Sequence, residues 1–406
     1  MACGKSELCL FDRPFPQVVV ENSNFEEIFP INAVTGKNLI DLEFKINGSD
    51  TDYLDLNDTL LCIKLVVEEP DKVLTKDANV VPSNFFFHTL FRDAILSFNN
   101  TKIEGGNNCY AQKALLESIL TYSNDTKDTN LDCIGYSTQE QRKNAIAESK
   151  SWSLCGPLQF DFFNQPKYLL PGINVHIRLQ RNNPSFCLFA EGIKPIIKIT
   201  DARLIVRRVK VDQSVMIGHA LGLEKHNALY PIKRTKLVTY SLPKGSLNFY
   251  KDQIFGDDRL PKFVLITFQN TSQLNGDYSK NATKFEHMNV SSIQLSRNTD
   301  FNQTYTVDFE NNDYTFAYVQ SIIRNMHQLE KNWNLGVSLL EFKEYYPFFT
   351  FDLTPDFDMN QTQVAKQGNL RLDLKFSKGL EKATSVIIYG IFDDEIQITK
   401  NRSIIV

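Results

Sequence analysis

Four aspartates lie close together near the start of the chain, at Asp50, Asp52, Asp55 and Asp58. Carboxylates at such short spacing could form a calcium-binding loop, because Ca²⁺ prefers several oxygen ligands. The spacing lacks the turn glycine and the closing glutamate of an EF-hand. Acidic motifs of this kind are weak on their own, so the sequence favours a solvated loop over a metal site.

A second acidic group comprises Glu341, Glu344, Asp356 and Asp358. A pair of carboxylates could serve as the acid and the base or nucleophile of glycoside hydrolysis. That chemistry requires a defined separation between the two groups, and nothing in the sequence fixes one. Acidic residues in loops are more often simply solvated.

Three further motifs that could carry chemistry have simpler structural explanations. His88 lies within the aromatic segment Phe85–Phe91, which favours a buried or half-buried structural histidine. Gly105 and Gly106 precede a predicted helix, but no Lys-Ser/Thr pair follows, so they indicate a turn and not a phosphate loop. No Gly-x-Ser-x-Gly nucleophile elbow occurs in the sequence. We therefore predict no catalytic, cofactor-binding or metal-binding residues and do not expect an enzyme.

All seven cysteines lie in the first half of the chain, and none forms a Cys-x-x-Cys pair. Zinc requires clustered thiolates or imidazoles, whereas the six histidines are scattered singly. The odd number and irregular spacing favour reduced, mostly buried thiols in an intracellular protein. The residues concerned are Cys3, Cys9, Cys62, Cys109, Cys133, Cys155 and Cys187.

The charge distribution argues against direct recognition of nucleic acid. The formal net charge is −4, and the basic pairs Arg207-Arg208 and Lys233-Arg234 are too short to form a phosphate-binding arm. No signal peptide and no apolar run long enough to cross a membrane is recognisable. We expect neither sequence-specific nucleic acid binding, nor a membrane span, nor secretion through a signal peptide.

The elements that would position these residues occur twice along the chain. A predicted Phe-Asp strand at 159–162 precedes a loop and an alternating strand at 171–179, and a similar Phe-Asp strand at 350–353 precedes an alternating strand at 368–376. Such internal repetition is a primary indicator of architecture. It predicts two β-domains of similar plan in one polypeptide.

The earlier parts of the two halves support the duplication. The alternating strand at 38–47 is matched with 235–242, and the apolar run at 60–67 with 263–268. Each half also contains one stretch with apolar residues at helical spacing, at 109–122 and about 314–327. Aromatic residues make up 12% of the chain, a composition that favours sheets and large packed interfaces.

This order predicts an all-β protein, with two tandem eight-stranded antiparallel sandwiches and short helices in the connecting loops. Its parts would be an N-terminal arm at 1–36, sandwiches at 37–211 and 231–398, a connector at 212–230 and a tail at 399–406. A phase change near Arg207-Arg208 indicates a bulge in the last strand of the first sandwich. The apolar end, Ser403–Val406, would pack either on its own domain or on a neighbouring subunit. Long polar loops at 123–151 and 270–289 suit a jelly roll.

Several segments follow one another in a characteristic order along the chain. They are Asp50–Leu61, Val81–Phe91, Ala94–Ile103, the helix containing Tyr110 and Leu115–Leu120, Asn369–Phe376 and Val386–Gly390. Their serial order resembles the major capsid (hexon-like) proteins of Polinton/Maverick elements and adintoviruses. The resemblance covers most of the chain, and no single motif in it is chemically diagnostic.

The resemblance implies a double jelly-roll fold and a homotrimer whose six sandwiches form a pseudo-hexameric capsomer. Such capsomers would pack with one another, and with penton and minor capsid proteins, into an icosahedral shell around a double-stranded DNA genome. The protein would then be found in the virion, after assembly inside the host cell.

Two other functions remain open on the sequence alone. Aromatic residues in a loop, Tyr345-Tyr346 and Phe348-Phe349, could belong to a carbohydrate-binding or carbohydrate-active tandem sandwich. A host gene derived from a capsid protein and reused as an oligomeric scaffold would have the same sequence features. The host, the viral lineage and the shell size do not follow from the sequence.

Overall fold

A computed structural model of the chain describes residues 17–32, 41–70, 72–256, 259–298, 301–324, 336–355, 362 and 366–406. Within these ranges the chain forms two β-sandwiches in tandem. The first contains β1 (Val20–Ile28), β2 (Leu42–Ile46), β3 (Asp52–Glu68), β5 (Phe91–Phe98), β6 (Thr101–Glu104), β7 (Trp152–Pro157), β8 (Val175–Arg181) and β10 (Ile196–Val211), with a separate pair, β4 (Val80–Pro82) and β9 (Leu188–Ala190).

The second sandwich has eight strands that are followed by a short ninth. They are β11 (Ala228–Leu242), β12 (Asn248–Lys251), β13 (Phe263–Asn270), β14 (Val290–Arg297), β15 (Phe301–Thr306), β16 (Phe349–Asp352), β17 (Leu370–Phe376), β18 (Thr384–Ile398) and β19 (Ile404–Ile405). All pairings between these strands are antiparallel.

The two sandwiches have the same strand order. In the first, the sheets run β1-β10-β3-β7 and β2-β8-β5-β6; in the second, they run β11-β18-β13-β16 and β12-β17-β14-β15. We number the eight principal strands of each sandwich from 1 to 8 along the chain. In each sandwich, one sheet then has the strand order 1-8-3-6 and the other has the order 2-7-4-5. Two facing four-stranded sheets in this order form a jelly roll. The predicted fold class, a double jelly roll, is therefore confirmed.

Short helices occupy the connections, as the sequence predicted. The longest in the first jelly roll is α2 (Tyr110–Thr121), which confirms the predicted helix at 109–122. The connection at 123–151, expected to be a long polar loop, is largely helical. The other helices are α1 (Phe86–Thr89), α3 (Asn124–Thr129), α4 (Gln139–Ile146), α5 (Pro184–Cys187), α6 (Gln213–Lys225), α7 (Thr271–Asn275), α8 (Thr315–Tyr318) and α9 (Leu339–Glu344), with 3₁₀ turns at Asn130–Ile134, Ala147–Ser149 and Asp161–Asn164.

A π-helical turn, Val319–Arg324, continues α8. The second predicted helix is thus present as far as residue 324, and the remainder of 314–327 lies outside the described residues. No helix in the described ranges combines the length and the apolar character that crossing a membrane requires.

The core of each jelly roll lies between its two sheets. Strand β13 is buried at every position, which explains its unbroken apolar run, whereas β17 alternates buried and exposed positions as a half-buried strand should. The predicted bulge in the last strand of the first jelly roll is present, because the register of β10 on β3 shifts between Ile205 and Arg207.

Two of the predicted equivalences between the halves are wrong. Strand β2, matched with residues 235–242, corresponds by sheet position to β12, while β11 corresponds to β1. The segment at 159–162 is not a strand but leads into the 3₁₀ turn Asp161–Asn164, whereas 349–352 is strand β16. The equivalences of β3 with β13 and of β8 with β17 agree with the observed topology.

The first predicted segment boundary also needs correction. Residues 20–28, assigned to an N-terminal arm, form β1 and pair along β10, so they belong to the first jelly roll. Residues 1–16 and 33–36 of that arm lie outside the described residues. The connector at 212–230 contains α6, and its last three residues already belong to β11.

The C-terminal tail packs on its own chain. Ile404 and Ile405 pair with the end of β18, and Arg402 donates a hydrogen bond from Nε to the carbonyl oxygen of Pro171 in the first jelly roll (2.7 Å). Of the two expectations for the tail, packing on its own domain is the one observed, although Ile405 and Val406 stay about half exposed.

Candidate functional site

A buried ionic cluster lies where the two jelly rolls meet. Its centre is the ammonium group of Lys113 on α2, which donates hydrogen bonds to Asp161 Oδ1 (2.7 Å) and to the carbonyl oxygen of Gln159 (3.2 Å). Lys113 also forms an ion pair with Glu104 at the end of β6, and the Glu117 carboxylate lies 3.8 Å away. Three carboxylates thus surround one buried cation.

Local sequence positions these side chains. Lys113 and Glu117 are four residues apart and therefore lie on one face of α2. Glu104 immediately precedes a turn in which Gly105 has a φ of +96°, and a β-carbon there would collide with the carbonyl oxygen of Ala94. The signal in the sequence was a lysine and a glutamate four residues apart in a largely apolar helix, and sequence reasoning missed it.

Three contacts of this cluster cross from one jelly roll to the other. The backbone amide of Thr235 on β11 donates to Asp161 Oδ2 (2.9 Å), and its hydroxyl donates to Asp161 Oδ1 (2.7 Å). The Tyr389 hydroxyl on β18 donates to Glu117 Oε1 (3.3 Å). Beside them, Arg234 donates to a backbone carbonyl of β6 (2.7 Å). We call Glu104, Lys113, Glu117, Asp161, Thr235 and Tyr389 the interdomain cluster.

Burial dominates the titration of the interdomain cluster. It raises the pKa of Glu104 to about 7 and the pKa of Glu117 to about 8, although attraction to Lys113 opposes the shift in both. Burial also disfavours the charged form of Lys113, but Asp161 and the two glutamates outweigh it and hold the pKa of Lys113 well above its usual range. The cluster therefore retains protons on carboxyl groups near neutral pH while its ammonium group stays charged.

The interdomain cluster forms part of the wall of a cleft of about 770 Å³ between the jelly rolls. Beyond the cluster, the wall includes Lys262 and Asp393 of the second jelly roll, which form their own ion pair at 2.5 Å. Because protein donors hold both oxygens of Asp161 and one oxygen of Glu117, the arrangement is suited to fixing one jelly roll against the other. We interpret it as a structural clamp.

The four aspartates proposed for a calcium loop do not come together around one point. Asp52, Asp55 and Asp58 lie in β3, so the expectation of a solvated loop is wrong for them. Arg207 holds two of these carboxylates, with its Nη1 3.3 Å from Asp55 Oδ2 and 3.5 Å from Asp58 Oδ2. Among the described residues, no group of three or more His, Cys, Asp or Glu side chains is placed to hold a metal ion.

The acidic pair considered for glycoside hydrolysis is only partly described. Asp356 and Asp358 lie outside the described residues. Glu341 accepts hydrogen bonds from the backbone amide and the hydroxyl of Ser338 (both 2.8 Å), which makes it part of a capping box at the start of α9. Glu344 is exposed at the end of the same helix.

The aromatic residues that motivated a carbohydrate-binding function are mostly inside the protein. Phe348 and Phe349 are fully buried, and burial raises the pKa of the Tyr346 hydroxyl far above its usual range. Only Tyr345 is exposed, at 42%. A sugar-stacking platform requires several exposed rings, so these residues do not support a carbohydrate-binding function.

His88 is the structural histidine that the sequence predicted. It is 1% exposed, and its Nδ1 lies 3.2 Å from the Tyr110 hydroxyl. Burial lowers the pKa of His88 to about 3, so the ring stays neutral. Gly105 and Gly106 form the predicted turn, where the Gly106 amide donates to the Asp93 carboxylate (2.9 Å).

The expectation that all cysteines are reduced is wrong for one pair. Cys62 of β3 and Cys155 of β7 are directly opposite each other in the ladder and form a disulfide. Cys109, Cys133 and Cys187 are free thiols, and burial raises the pKa of the Cys109 and Cys187 thiols. Cys3 and Cys9 lie outside the described residues. Adjacent strands brought these two thiols together, and their spacing of 93 residues gave no sign of it.

Two groups of exposed apolar side chains lie on different jelly rolls. Strand β1 is an edge strand, and large apolar side chains are exposed on it and just beyond its end. We call Phe25, Phe29 and Ile31 the edge patch. In the second jelly roll, the connection between β15 and β16 exposes Phe316, Val319, Ile323 and Leu340, the helical patch. Phe29 and Phe316 are 61% and 68% exposed. Clusters of exposed apolar side chains can mark protein interfaces.

Comparison with known proteins places the whole chain in one structural class. It aligns with the PBCV-1 protein VP54, as fitted into a reconstruction of the virophage Sputnik, over 98% of this chain and 99% of that one, with a TM-score of 0.60 and 13% identity. It aligns with the mavirus major capsid protein over 99% and 93%, with a TM-score of 0.54 and 8% identity. The chain therefore has the double jelly-roll fold of these viral capsid proteins.

The similarity in sequence to a curated protein also extends from end to end. The uncharacterized protein F54H12.2 of Caenorhabditis elegans is 22% identical over 422 residues, which cover 97% of this chain and 99% of that protein. No protein-family model matches the chain.

Proposed function

We propose that this protein is a major capsid protein and that three copies assemble into a pseudo-hexameric capsomer. The observation that carries the proposal is the tandem repetition of one strand order, 1-8-3-6 and 2-7-4-5, over a chain that matches viral capsid proteins along its full length. Three copies with two similar jelly rolls each present six similar units around a threefold axis. Such a trimer fills a position of sixfold symmetry in a shell.

The clamp between the jelly rolls supports this role. A capsomer imitates a hexagon only if the two jelly rolls of each subunit keep a fixed relative position. The interdomain cluster supplies that constraint through the contacts of Asp161 with Thr235 and of Glu117 with Tyr389. We therefore propose a structural and not an enzymatic role.

The edge patch and the helical patch suit association of the copies in a ring. A trimer of identical chains uses a heterologous interface, in which one surface of each subunit contacts a different surface of the next. The edge patch lies on the first jelly roll and the helical patch on the second, so each subunit offers one apolar surface of each kind. Neighbouring capsomers, penton proteins and minor capsid proteins would complete an icosahedral shell around double-stranded DNA in the virion.

For the lineage, we propose a Polinton/Maverick element or an adintovirus. The end-to-end similarity to a nematode protein supports a capsid gene that resides in invertebrate genomes. The same similarity favours a second candidate, a host gene derived from such a capsid and retained as an oligomeric scaffold. Neighbouring genes for a packaging ATPase, a protease and a protein-primed polymerase would favour the element or virus over the host gene.

Mass measurement and electron microscopy of the purified protein test the proposal together. We expect a particle of three times 46.6 kDa by light scattering and pseudo-hexagonal tiles in micrographs. Trimers that form tiles or closed shells support a capsid protein, whereas trimers that never associate further favour the host scaffold. A monodisperse monomer at high concentration would contradict both.

A further inference from the structure

The helix that joins the two jelly rolls is apolar but uncovered. Helix α6 runs for 13 residues and contains Val215, Met216, Ile217, Leu221 and Leu223, yet none of its residues is buried. A helix with this many apolar residues normally buries one face against the protein. Here, Ile217 and Leu221 point outward, with 53% and 59% of their surface exposed.

The inner face of α6 lines an apolar groove of about 600 Å³. The opposite wall comes from both jelly rolls and carries mainly aliphatic and aromatic side chains, among them Val20, Tyr168, Leu170 and Tyr230. Val215 and Leu223 contribute from α6, whereas Ile217 and Leu221 do not line the groove. The volume lies within the range of about 300–1,000 Å³ that is typical of binding pockets.

Two contacts hold α6 in place above the groove. The Tyr53 hydroxyl on β3 lies 2.7 Å from Nδ1 of His219 in the middle of the helix. Lys400 of the C-terminal tail forms an ion pair with Glu224 in the last turn of the helix (3.0 Å). Because these contacts connect α6 to both jelly rolls, the apolar space beneath it is a built feature of the fold.

The chain itself supplies a matching segment. Residues 1–16 lie outside the described part of the chain and lead directly into Val19 and Val20, which line the groove. This segment contains the apolar run Leu8-Cys9-Leu10-Phe11. Leu10 is nine residues from Val19, a stretch that spans up to about 30 Å when extended, so the run can turn back onto the groove.

We propose that the run Leu8–Phe11 of the chain's own N-terminal segment binds in the groove beneath α6. The tether favours this occupant, because a segment attached beside its site has an effective concentration of about a millimolar. Binding would bury apolar side chains of the run against Val215 and Leu223. The N-terminal segment would then fasten the connector helix to both jelly rolls.

Disulfide trapping tests the proposal on the full-length chain. Cys9 supplies one thiol, and Gly222→Cys supplies the other, since Gly222 lines the groove and a β-carbon there meets no atom within 4 Å. The background carries Cys3→Ser and Cys133→Ser. Leu221→Cys, one residue away but outside the groove, is the matched control. We expect peptide mapping to find Cys9 bonded to the thiol introduced at position 222 within one chain.

Each other result of the trapping experiment overturns the proposal. A Cys9 bond that joins two chains, seen as a dimer on a non-reducing gel, would assign the groove to the neighbouring subunit's segment. Equal trapping in the Gly222→Cys and Leu221→Cys proteins would show that the segment has no preference for the groove, and so would the absence of trapping in both.

Hydrogen exchange gives an independent measurement. We expect Leu10→Glu to speed amide exchange in α6 by about tenfold or more, because a charged side chain would be excluded from the apolar groove. Ser6→Glu places the same charge in the same segment outside the apolar run and should leave exchange in α6 unchanged. An unchanged α6 in the Leu10→Glu protein, or equal acceleration in both, would overturn the proposal.

Discussion

The carboxylate of Asp161 in the first jelly roll accepts two hydrogen bonds from Thr235 in the second, one from its backbone amide and one from its hydroxyl. The same carboxylate accepts a hydrogen bond from the buried ammonium group of Lys113. One side chain therefore both compensates a buried charge and fixes a strand of the other domain. Removal of Asp161 should affect the stability of the whole chain and not that of a single loop.

We expect Asp161→Ala to lower the free energy of unfolding by about 3–5 kcal/mol, because it removes the charged hydrogen-bond acceptor that the buried Lys113 ammonium group shares with Thr235. Chemical denaturation followed by circular dichroism measures the change. Asp373→Ala removes a carboxylate that pairs with Arg371 on the surface and should have little effect. Similar losses in the two variants would argue against a special role for the interdomain cluster.

The interdomain cluster also predicts how stability depends on pH. Burial raises the pKa of Glu104 to about 7 and the pKa of Glu117 to about 8 from a value of 4.5 in the exposed state. The folded chain then binds these protons more tightly than the unfolded chain, so their contribution is fully present below about pH 4.5 and is lost as the pH rises through 7 and 8. Each group can contribute a slope of at most about 1.4 kcal/mol per pH unit.

Glu117→Gln imitates the protonated side chain and should flatten this dependence. We expect the variant to match the wild-type stability near pH 5 and to exceed it near pH 9, measured by denaturation across the pH range. Glu148→Gln, at a side chain that is 54% exposed, is the control and should follow the wild-type curve. A Glu117→Gln protein with the wild-type slope would show that this carboxyl group does not titrate as its burial implies.

Regular strands were predictable because their side-chain pattern is local. The strict alternation of β17 and the continuous apolar run of β13 follow from burial on one face or on both. Strand β1 was missed because it is an edge strand on which every position is exposed or only partly buried, so no alternation appears in its sequence. Nearby prolines at positions 14, 16 and 30 then favoured an arm.

The interdomain cluster could not be predicted because its contacts are remote in sequence. Lys113 and Asp161 are 48 residues apart, and Glu117 and Tyr389 are 272 apart. A single sequence contains no information about which distant residues meet. The Phe-Asp pattern at 159–162 suggested a strand, whereas Asp161–Asn164 forms a 3₁₀ turn.

The disulfide between Cys62 and Cys155 yields a third prediction. The disulfide joins two cysteines that are 93 residues apart in sequence and so restricts the unfolded chain. Replacement of both cysteines by alanine should therefore lower the free energy of unfolding by about 2–5 kcal/mol. Cys133→Ala, at an exposed free thiol, should change stability little. Alkylation of the unfolded, non-reduced chain should leave Cys62 and Cys155 unmodified, and alkylation at both would show that the thiols are reduced.

The last prediction concerns the surfaces that would join subunits, and it depends on the proposed capsomer. We expect Phe29→Glu in the edge patch and Phe316→Glu in the helical patch each to weaken trimer formation by about thirtyfold or more, because exposed aromatic residues at an interface often contribute about 2 kcal/mol or more. Val73→Glu changes another exposed apolar residue, 64% exposed and outside both patches, and should leave the trimer intact.

A mixture of the two variants tests whether the edge patch of one subunit contacts the helical patch of the next. A Phe316→Glu subunit keeps an unchanged edge patch, and a Phe29→Glu subunit keeps an unchanged helical patch. One subunit of each kind can therefore form a single interface between two unchanged patches. We expect light scattering to detect heterodimers but few closed trimers, whereas each variant alone should remain monomeric. Full trimers in the mixture, or trimers of either variant alone, would show that these patches do not form the interface.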